Sequence, residues 1–359
     1  MQGRHYTAQA RIALRDPDPV IAEFCEHMTE HNAVVSAGPT GPLLRMGGIS
    51  AQFSRAGGET VVEVAAPDLE GLYLARMSVA SHILEFAGDD PPEIAWTGDG
   101  GEIVRPPNFQ ILQVVGCRQV TPHMRRLTLS GENVARFAGL DALHLNLMVQ
   151  RPEAAEPQWP RVGANGVIAW DNPDLRPLMR KYTVRSVDLA AGTLDIDFVL
   201  HADAGPGSAF AERAAVGDRV GVVGPGGGGL AAADWYLFAG DETALPAIAR
   251  MLEHLPADAR GLAFIEVADA AEIQALAGPA GIAVEWLLRD GRPAGGTSLL
   301  ADAVRAAAFP AEGGKVYVWA GCEFEAFRAI RSHVRQERGL AGSEHLVVSY
   351  WRRGTPESE

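Results

Sequence analysis

The sequence is poor in cysteine, in lysine and in long apolar runs. Its three cysteines, Cys25, Cys117 and Cys322, are widely separated and form no C-x-x-C pair. This excludes a disulfide framework and a four-cysteine iron–sulfur centre, and we expect a reducing, cytoplasmic compartment. No run of 18 apolar residues occurs, so no transmembrane helix is predicted. The first residues also lack the apolar segment of a signal peptide.

Acidic residues dominate, but unevenly. The chain has 359 residues, a formal net charge of −14 and only two lysines. This excess argues against nucleic acid or a membrane surface as a partner. Residues 1–100 carry a net charge of −8 and residues 231–359 carry −6, whereas residues 101–230 are neutral. The middle third is therefore the part best suited to a small anionic ligand.

Hydrophobic periodicity predicts a multidomain protein that begins with a small α+β module over residues 1–96. A helix is expected to begin in the Asp-Pro-Asp-Pro run at 16–19, and a second one, capped by Asp68, covers 69–87. The predicted strands are 4–13, 42–46, 49–54, 59–66 and 93–96. The turn-rich stretch 97–108 predicts a linker.

The second domain, 109–230, is predicted to be an antiparallel β-barrel because short strands accompany a single helix at about 206–215. Leu143, Leu145 and Leu147 alternate as in a half-buried strand. The other predicted strands are 109–117, 124–131, 182–187 and 193–200, and 151–178 is read as a loop.

The third domain, 231–359, alternates strands with helices and predicts a parallel α/β sheet. The predicted strands are WYLFAG, GLAFIEV, IAVEWLL, KVYVWAG and EHLVVSYW, and the helices are 244–254, 270–277, 297–308 and 323–338.

The first candidate site is the barrel run from Arg180 to Arg185, RKYTVR. A flavin needs a cation for its pyrophosphate, an aromatic face for its ring and a small hydroxyl near N5, the atom that accepts hydride. Arg180, Tyr182 and Thr183 offer these groups. Strand alternation places Arg180 and Tyr182 on one face, with Thr183 opposite unless the strand ends there. The alternative is a solvated strand end.

The second candidate is the Gly-Pro-Gly-Ser turn at 205–208, about twenty residues later, which opens the barrel helix. Backbone N–H groups at a helix start bind anions, which suits the other side of a pyrophosphate. The alternative is an ordinary helix start with Ser208 as N-cap.

A third glycine-rich run, 224–229, matches G-x-G-x-x-G after a strand. Only five residues precede the next strand, so no helix can receive phosphates, and we interpret the run as an interdomain turn. The first strand-to-helix turn of the α/β domain is Asp241–Ala244, with Thr243 as expected N-cap and Pro246 in the first turn. Ligands of such sheets bind at the carboxyl ends of strands.

Cys25, His27 and His31 share the first predicted helix. The two histidines stand at i and i+4, so they could hold one metal ion. No further ligand lies close in sequence, so a polar helix face is favoured and no metal site is predicted. His82 on the second helix is interpreted as a surface or capping group.

Residues from about 109 to 354 resemble the siderophore-interacting proteins, FAD-dependent ferric-siderophore reductases of the ferredoxin–NADP reductase superfamily. The resemblance is carried by RKYTVRSVD, LDIDFVLHADAGPGSAFA, VGDRVGVVGPGG, DWYLFAGDETALPAI, KVYVWAGCEFEAFRAIR and YWRRG. One departure is Phe210, where a tryptophan is expected. Residues 1–96 resemble an uncharacterised module that accompanies these reductases.

The resemblance implies roles for particular residues. Tyr182 and Thr183 would act at the reacting flavin ring, and Arg180 would hold phosphate. The remaining FAD contacts would come from Val184, Arg185, His201, Gly205, Gly207, Ser208 and Ala209. The segment facing nicotinamide and the flavin edge would be Asp241, Glu242, Thr243 and Ala244, with Trp319–Glu323 as the second segment. Arg352 and Arg353 would lie near the substrate.

The implied activity is NADPH- or NADH-dependent reduction of ferric siderophore, which frees Fe(II) because hard oxygen donors hold it weakly. Three alternatives stay open: a general flavin reductase, an oxygenase reductase component, and a non-catalytic siderophore-binding protein. Ferredoxin as an alternative electron donor also stays open. The choice between NADPH and NADH stays open too, with Arg289 and Arg292 as candidates for binding the 2′-phosphate of NADPH. A ferric catecholate is anionic, so we expect arginines to offset the acidic field around it.

Overall fold

In a computed structural model of the chain, residues 5–201, 205–310 and 314–355 are described. They divide into two compact units, one running up to Phe109 and including Pro152–Arg176, the other holding Gln110–Arg151 and the chain from Pro177 onward. No helix in these ranges is long and apolar enough to cross a bilayer.

The first unit contains an antiparallel sheet in the order β2-β3-β4-β5-β1-β6 with two helices packed on it. Asp68 begins the second helix as predicted, since its carboxylate accepts from the Gly71 N–H at 2.7 Å. The elements are β1 (Tyr6–Ile12), α1 (Pro17–Glu30), β2 (Val34–Ala37), β3 (Pro42–Met46), β4 (Ile49–Ala56), β5 (Glu59–Ala66), α2 (Leu69–Phe86) and β6 (Trp96–Gly98).

Two expectations for this unit are wrong in detail. The closing strand is β6 rather than 93–96, because Ala8 and Ala10 of β1 pair with Gly98 and Trp96. The edge strand β2 was not predicted, because all four of its residues are exposed and give no apolar alternation.

The excursion 152–176 leaves the barrel and packs with the first unit. It contains the short strands β10 (Arg161–Val162) and β11 (Ile168–Ala169). The Trp96 indole N–H donates to the Asn165 carbonyl at 2.9 Å. The predicted domain boundaries, which assign this segment to the barrel, stay a prediction.

The second unit begins with a seven-stranded antiparallel sheet in the order β12-β9-β15-β7-β8-β14-β13, the predicted barrel. Leu145 and Leu147 lie in its core as their alternation indicates. The elements are β7 (Phe109–Thr121), β8 (Met124–Ser130), β9 (His144–Val149), β12 (Leu178–Thr183), β13 (Ser186–Asp188), β14 (Thr193–Val199), α3 (Pro206–Arg213) and β15 (Arg219–Gly226).

A five-stranded parallel sheet follows in the order β18-β17-β16-β19-β20. This confirms the predicted α/β domain, and it brings the carboxyl ends of all five strands to one edge. The elements are β16 (Trp235–Asp241), α4 (Leu245–His254), β17 (Arg260–Val267), β18 (Gly281–Leu288), α5 (Leu299–Ala306), β19 (Val316–Glu323), α6 (Phe324–Ser332) and β20 (His345–Trp351).

The helix predicted over 270–277 is wrong. Only one short turn, Ala270–Glu272, forms there. The buried Glu272 carboxylate accepts from the Thr121 hydroxyl and from the His123 backbone N–H at 3.0 Å, both in the barrel. These contacts take precedence over the local helix propensity.

Candidate functional site

The candidate site lies where β16, β19 and β20 end side by side. Asp241, the last residue of β16, is the group that joins them. Its carboxylate accepts from the Glu323 N–H at 3.0 Å and from the Trp351 indole N–H at 2.8 Å. The sequence predicted the Asp241 turn and the Trp319–Glu323 segment at one sheet edge, and the structure joins them through this carboxylate.

Asp241 is itself an unusual acid. It is buried, and burial followed by the charge of Glu242 raises its pKa to about 6, although hydrogen bonds from Thr243 and Trp351 oppose the shift. The Thr243 hydroxyl donates to Asp241 rather than capping α4. The N-cap of α4 is Ala244, so the N-cap expected at Thr243 is wrong, whereas Pro246 does lie in the first turn.

We predict that Asp241→Asn changes how stability depends on pH. The folded-state pKa lies above the unfolded value, so this carboxyl stabilises the fold at low pH and loses that contribution as pH rises through about 6. Asparagine does not titrate. The difference in unfolding free energy between wild type and variant should therefore shift by roughly 1 kcal/mol from pH 5 to pH 8, in favour of wild type at pH 5. Urea unfolding at both pH values measures it, and a constant difference contradicts the prediction.

Glu242 and Arg289 form a buried ion pair behind Asp241. The Arg289 guanidinium donates to both Glu242 carboxylate oxygens and lies 3.6 Å from Glu266. Its side chain is only 4% exposed. The Arg292 guanidinium instead donates to the Arg289 carbonyl at 2.8 Å. The structure thus places Arg289 inside the domain, which removes it as a contact for a 2′-phosphate.

The barrel side of the site is formed by β12 and the start of α3. Arg180 is buried, and the Tyr182 ring packs on Phe198 with centroids 4.3 Å apart. A Cβ on Gly207 would lie 2.0 Å from the Tyr182 hydroxyl oxygen, so only glycine fits there. The Arg180–Thr183 run and the 205–208 turn therefore meet, as their proximity along the chain suggested.

Ser208 tests whether this region suits a flavin phosphate. Its Oγ is buried and has no hydrogen-bond partner among the described residues. The helix begins at Pro206 with Gly205 as its N-cap, and no side chain of the described residues caps it, so the interpretation of Ser208 as N-cap is wrong. A buried hydroxyl without a partner, a buried guanidinium and an uncapped helix start form a donor set that suits a pyrophosphate.

Thr183 is the last residue of β12. At the end of a strand, the alternation of side chains no longer determines the face to which Thr183 belongs. Tyr350 on β20 lies near the Thr183 hydroxyl, since Thr183 opposes the upward shift that burial gives the Tyr350 pKa. Burial raises the pKa of Tyr350, which stays a neutral phenol. Gly321 makes room for this ring, since a Cβ there would lie 2.9 Å from Tyr350 Cε1. The Thr183 end of β12 therefore lies beside β20 at the site.

Arg250 of α4, which the sequence did not single out, joins the barrel to the α/β domain. Its buried guanidinium donates to the Val184 carbonyl at 2.7 Å, the Phe137 carbonyl at 2.6 Å and the Gly139 carbonyl at 2.9 Å. Next to it, Arg185 forms a two-point ion pair with Glu253. Arg185 is thus engaged by α4, and its predicted flavin contact stays a prediction.

The remaining predicted residues occupy the rim. His201 is exposed, and residues 202–204 of its turn lie outside the described residues. Arg352 and Arg353 are exposed directly after β20, and the Arg353 N–H donates to Glu323 at 3.0 Å. Tyr350 and Trp351 were missed as site residues, although an aromatic pair at the carboxyl end of the last strand was a visible signal.

Comparison with known proteins matches all three parts of the chain. Residues 113–229 match the siderophore-interacting FAD-binding domain, 233–354 the siderophore-interacting protein family, and 9–97 an uncharacterised protein conserved in bacteria. The ferric vibriobactin reductase of Vibrio cholerae is 32% identical over 69% of this chain and 91% of its own length. The NADPH-dependent ferric-chelate reductase of Escherichia coli is 33% identical over 51% of this chain and 72% of its own length. The crystal structure of a siderophore utilization protein from T. fusca is 42% identical, with a TM-score of 0.63, and covers 70% of this chain and 95% of that one.

An antiparallel barrel that matches an FAD-binding domain, followed by a parallel α/β domain, defines a two-domain flavoprotein. Within that class, this chain belongs to the siderophore-interacting protein family.

Proposed function

We propose that this protein reduces ferric siderophores with electrons from NADPH or NADH, through FAD held between the barrel and the carboxyl edge of the parallel sheet. The observation that carries the proposal is the set of hydrogen bonds from the Arg250 guanidinium of α4 to the Val184, Phe137 and Gly139 carbonyls. These bonds support a position of the predicted flavin motif, which contains Val184, next to the domain where nicotinamide is expected to bind. Names of relatives, ferric vibriobactin reductase and NADPH-dependent ferric-chelate reductase, support the same activity.

Bound FAD supplies the conversion between hydride acceptance from nicotinamide and single-electron transfer to Fe(III). The residues of the chain bind the cofactor and orient it. We assign Arg180, Ser208 and the N–H groups at the start of α3 to the pyrophosphate, because both side chains are buried and β12 meets α3 at Tyr182 and Gly207. Tyr182, fixed against Phe198, is assigned to the ring face.

The Thr183 hydroxyl is the group we assign to flavin N5. Tyr350, whose ring packs over Gly321 and which lies near Thr183, is the residue we assign to orient that hydroxyl. Asp241 keeps the three strand ends together behind it. Electron transfer then needs no protein ligand to iron, and reduction weakens the hold of hard oxygen donors on the metal.

Substrate attraction is assigned to Arg352 and Arg353. The surrounding third of the chain has a net charge of −6, so an anionic iron complex needs local positive charge to approach. Both arginines are exposed, and they follow Trp351, whose indole N–H donates a hydrogen bond to Asp241 at the site. This assignment depends on the siderophore being anionic.

Reversing the charge of Arg353 should weaken substrate capture without loss of cofactor. Arg353→Glu is expected to raise the KM for an anionic ferric siderophore by about tenfold, the lower end of what electrostatic focusing provides, and to leave FAD content unchanged. The backbone N–H to Glu323 is retained. The matched control is Arg260→Glu, the same change on an exposed residue at the amino end of β17. Equal KM values for the two variants would refute the assignment.

A direct test separates an enzyme from a siderophore carrier. The purified protein should be yellow, with about one FAD per chain, and anaerobic NADPH or NADH should bleach its flavin absorbance. A colourless protein that binds ferric siderophore but does not oxidise nicotinamide would favour the carrier.

A further inference from the structure

The first unit brings together three histidines that the sequence separates. His27 lies in the last turn of α1, His31 is the C-cap residue of that helix, and His82 lies on α2. The His27 and His31 rings have centroids 4.8 Å apart, and the His82 ring is also 4.8 Å from that of His27. We call these three residues the histidine patch. The sequence gave His82 no part in it, because 38 residues separate the two helices.

The two α1 histidines meet through the atoms that bind metals. Their Nε2 atoms are 3.1 Å apart. Two nitrogens on one metal ion at 2.0–2.1 Å each are separated by about 2.9–3.4 Å, for ligand angles between about 90° and 109°. As they stand, one imidazole N–H donates to the other ring. An ion in place of that proton would lie off the line between the two nitrogens, so each ring must turn by about 40° to direct its lone pair at the ion.

The second ring nitrogens of His27 and His82 face oxygen atoms. His27 Nδ1 lies 3.9 Å from the Glu30 carboxylate, which is ion-pair distance but too long for a hydrogen bond. Metal-binding imidazoles commonly direct their second nitrogen to a carboxylate or backbone carbonyl, which fixes the tautomer. His82 Nδ1 lies 2.7 Å from the Ser78 carbonyl oxygen, at hydrogen-bond distance. Phe86 packs against both the His27 and His82 rings and limits their rotation.

We propose that His27 and His31 form a two-histidine chelate for one divalent transition-metal ion on the surface of the first unit. Imidazole selects Zn²⁺, Cu²⁺, Ni²⁺ and Fe²⁺ over Mg²⁺ and Ca²⁺. Nowhere in the described ranges do three or more His, Cys, Asp or Glu side chains form a group that could hold a metal ion. The remaining positions therefore fall to water, and His82 acts as a packing neighbour that orients His27. Cys25 packs against the core instead, and burial raises the pKa of its thiol.

Zinc titration of the full-length, FAD-loaded protein by calorimetry tests the proposal. Wild type should bind one more equivalent of Zn²⁺ than the His27→Gln/His31→Gln double variant. Each single variant should bind that equivalent at least about tenfold more weakly, the loss typical when even a supporting group at a metal site is removed. The matched control is His5→Gln, an exposed histidine of the same unit, and it should behave as wild type.

Two results would overturn the assignment. Identical zinc stoichiometry in wild type and the double variant would show that His27 and His31 hold no metal. Loss of the equivalent in His82→Phe, which keeps an aromatic ring beside His27, would show that two ligands are not sufficient. Circular dichroism of each variant checks that the helices remain folded. The measurement follows metal binding, so its failure leaves the proposed redox function untouched.

Discussion

Replacing Gly207 with alanine should remove most of the FAD from the purified protein. The new Cβ would lie 2.0 Å from the Tyr182 hydroxyl oxygen and 2.8 Å from its ring carbon Cζ, so the ring must leave its position on Phe198. Overpacking of this kind costs about 1–3 kcal/mol, which corresponds to a roughly tenfold to hundredfold weaker FAD affinity. The helix itself should not suffer, because alanine is a better helix former than glycine.

The measurement is FAD content by absorbance, followed by the Kd of the FAD-free protein from flavin fluorescence. Gly342→Ala is the matched control, because a Cβ there has no neighbour within 4 Å and Gly342 has no positive φ. It should bind FAD as wild type does. Full FAD content in Gly207→Ala would mean that Tyr182 is not part of the flavin site.

Replacing Arg250 with methionine should cause the largest loss of stability. The guanidinium donates to three carbonyl oxygens, and its removal leaves those of the buried residues Val184 and Phe137 without this donor, whereas water can reach exposed Gly139. Each unsatisfied buried acceptor costs about 1–3 kcal/mol, so a loss of about 2 kcal/mol or more is expected. FAD affinity should fall as well, since Val184 adjoins the flavin motif.

Urea unfolding at pH 7.5 checks this expectation. The control is Arg305→Met on α5, whose guanidinium is 46% exposed and pairs with Asp302 three residues earlier. Surface pairs of this type contribute at most about 1 kcal/mol. Equal unfolding midpoints for the two variants would contradict the role of Arg250 as the link between barrel and parallel sheet.

The sequence predicted those features that local chemistry determines. Asp68 caps α2 because its carboxylate reaches an N–H three residues on, and Leu145 and Leu147 are buried because strand alternation places them on one face. The five parallel strands followed from alternating patterns, and their common edge followed from the topology.

Features that depend on distant partners were not predictable in this way. Helix 270–277 was expected from composition, but barrel donors hold Glu272 instead. The Thr243 hydroxyl donates to the Asp241 carboxylate, which is held in place because it also accepts hydrogen bonds from two other strands. A buried arginine on an apolar helix face, as at Arg250, is explained only once the barrel carbonyls are in place. The pairing of His82 with His27 likewise needs both helices.

Anaerobic stopped-flow spectroscopy of the FAD-loaded protein tests the central claim most directly. The flavin is first reduced with a stoichiometric amount of NADPH or NADH and then mixed with a ferric catecholate siderophore in the presence of a ferrous chelator. We predict that flavin absorbance returns as the Fe(II) chelate forms, with two Fe(II) for each reduced flavin. A flavin that stays reduced beside intact ferric siderophore would contradict the account.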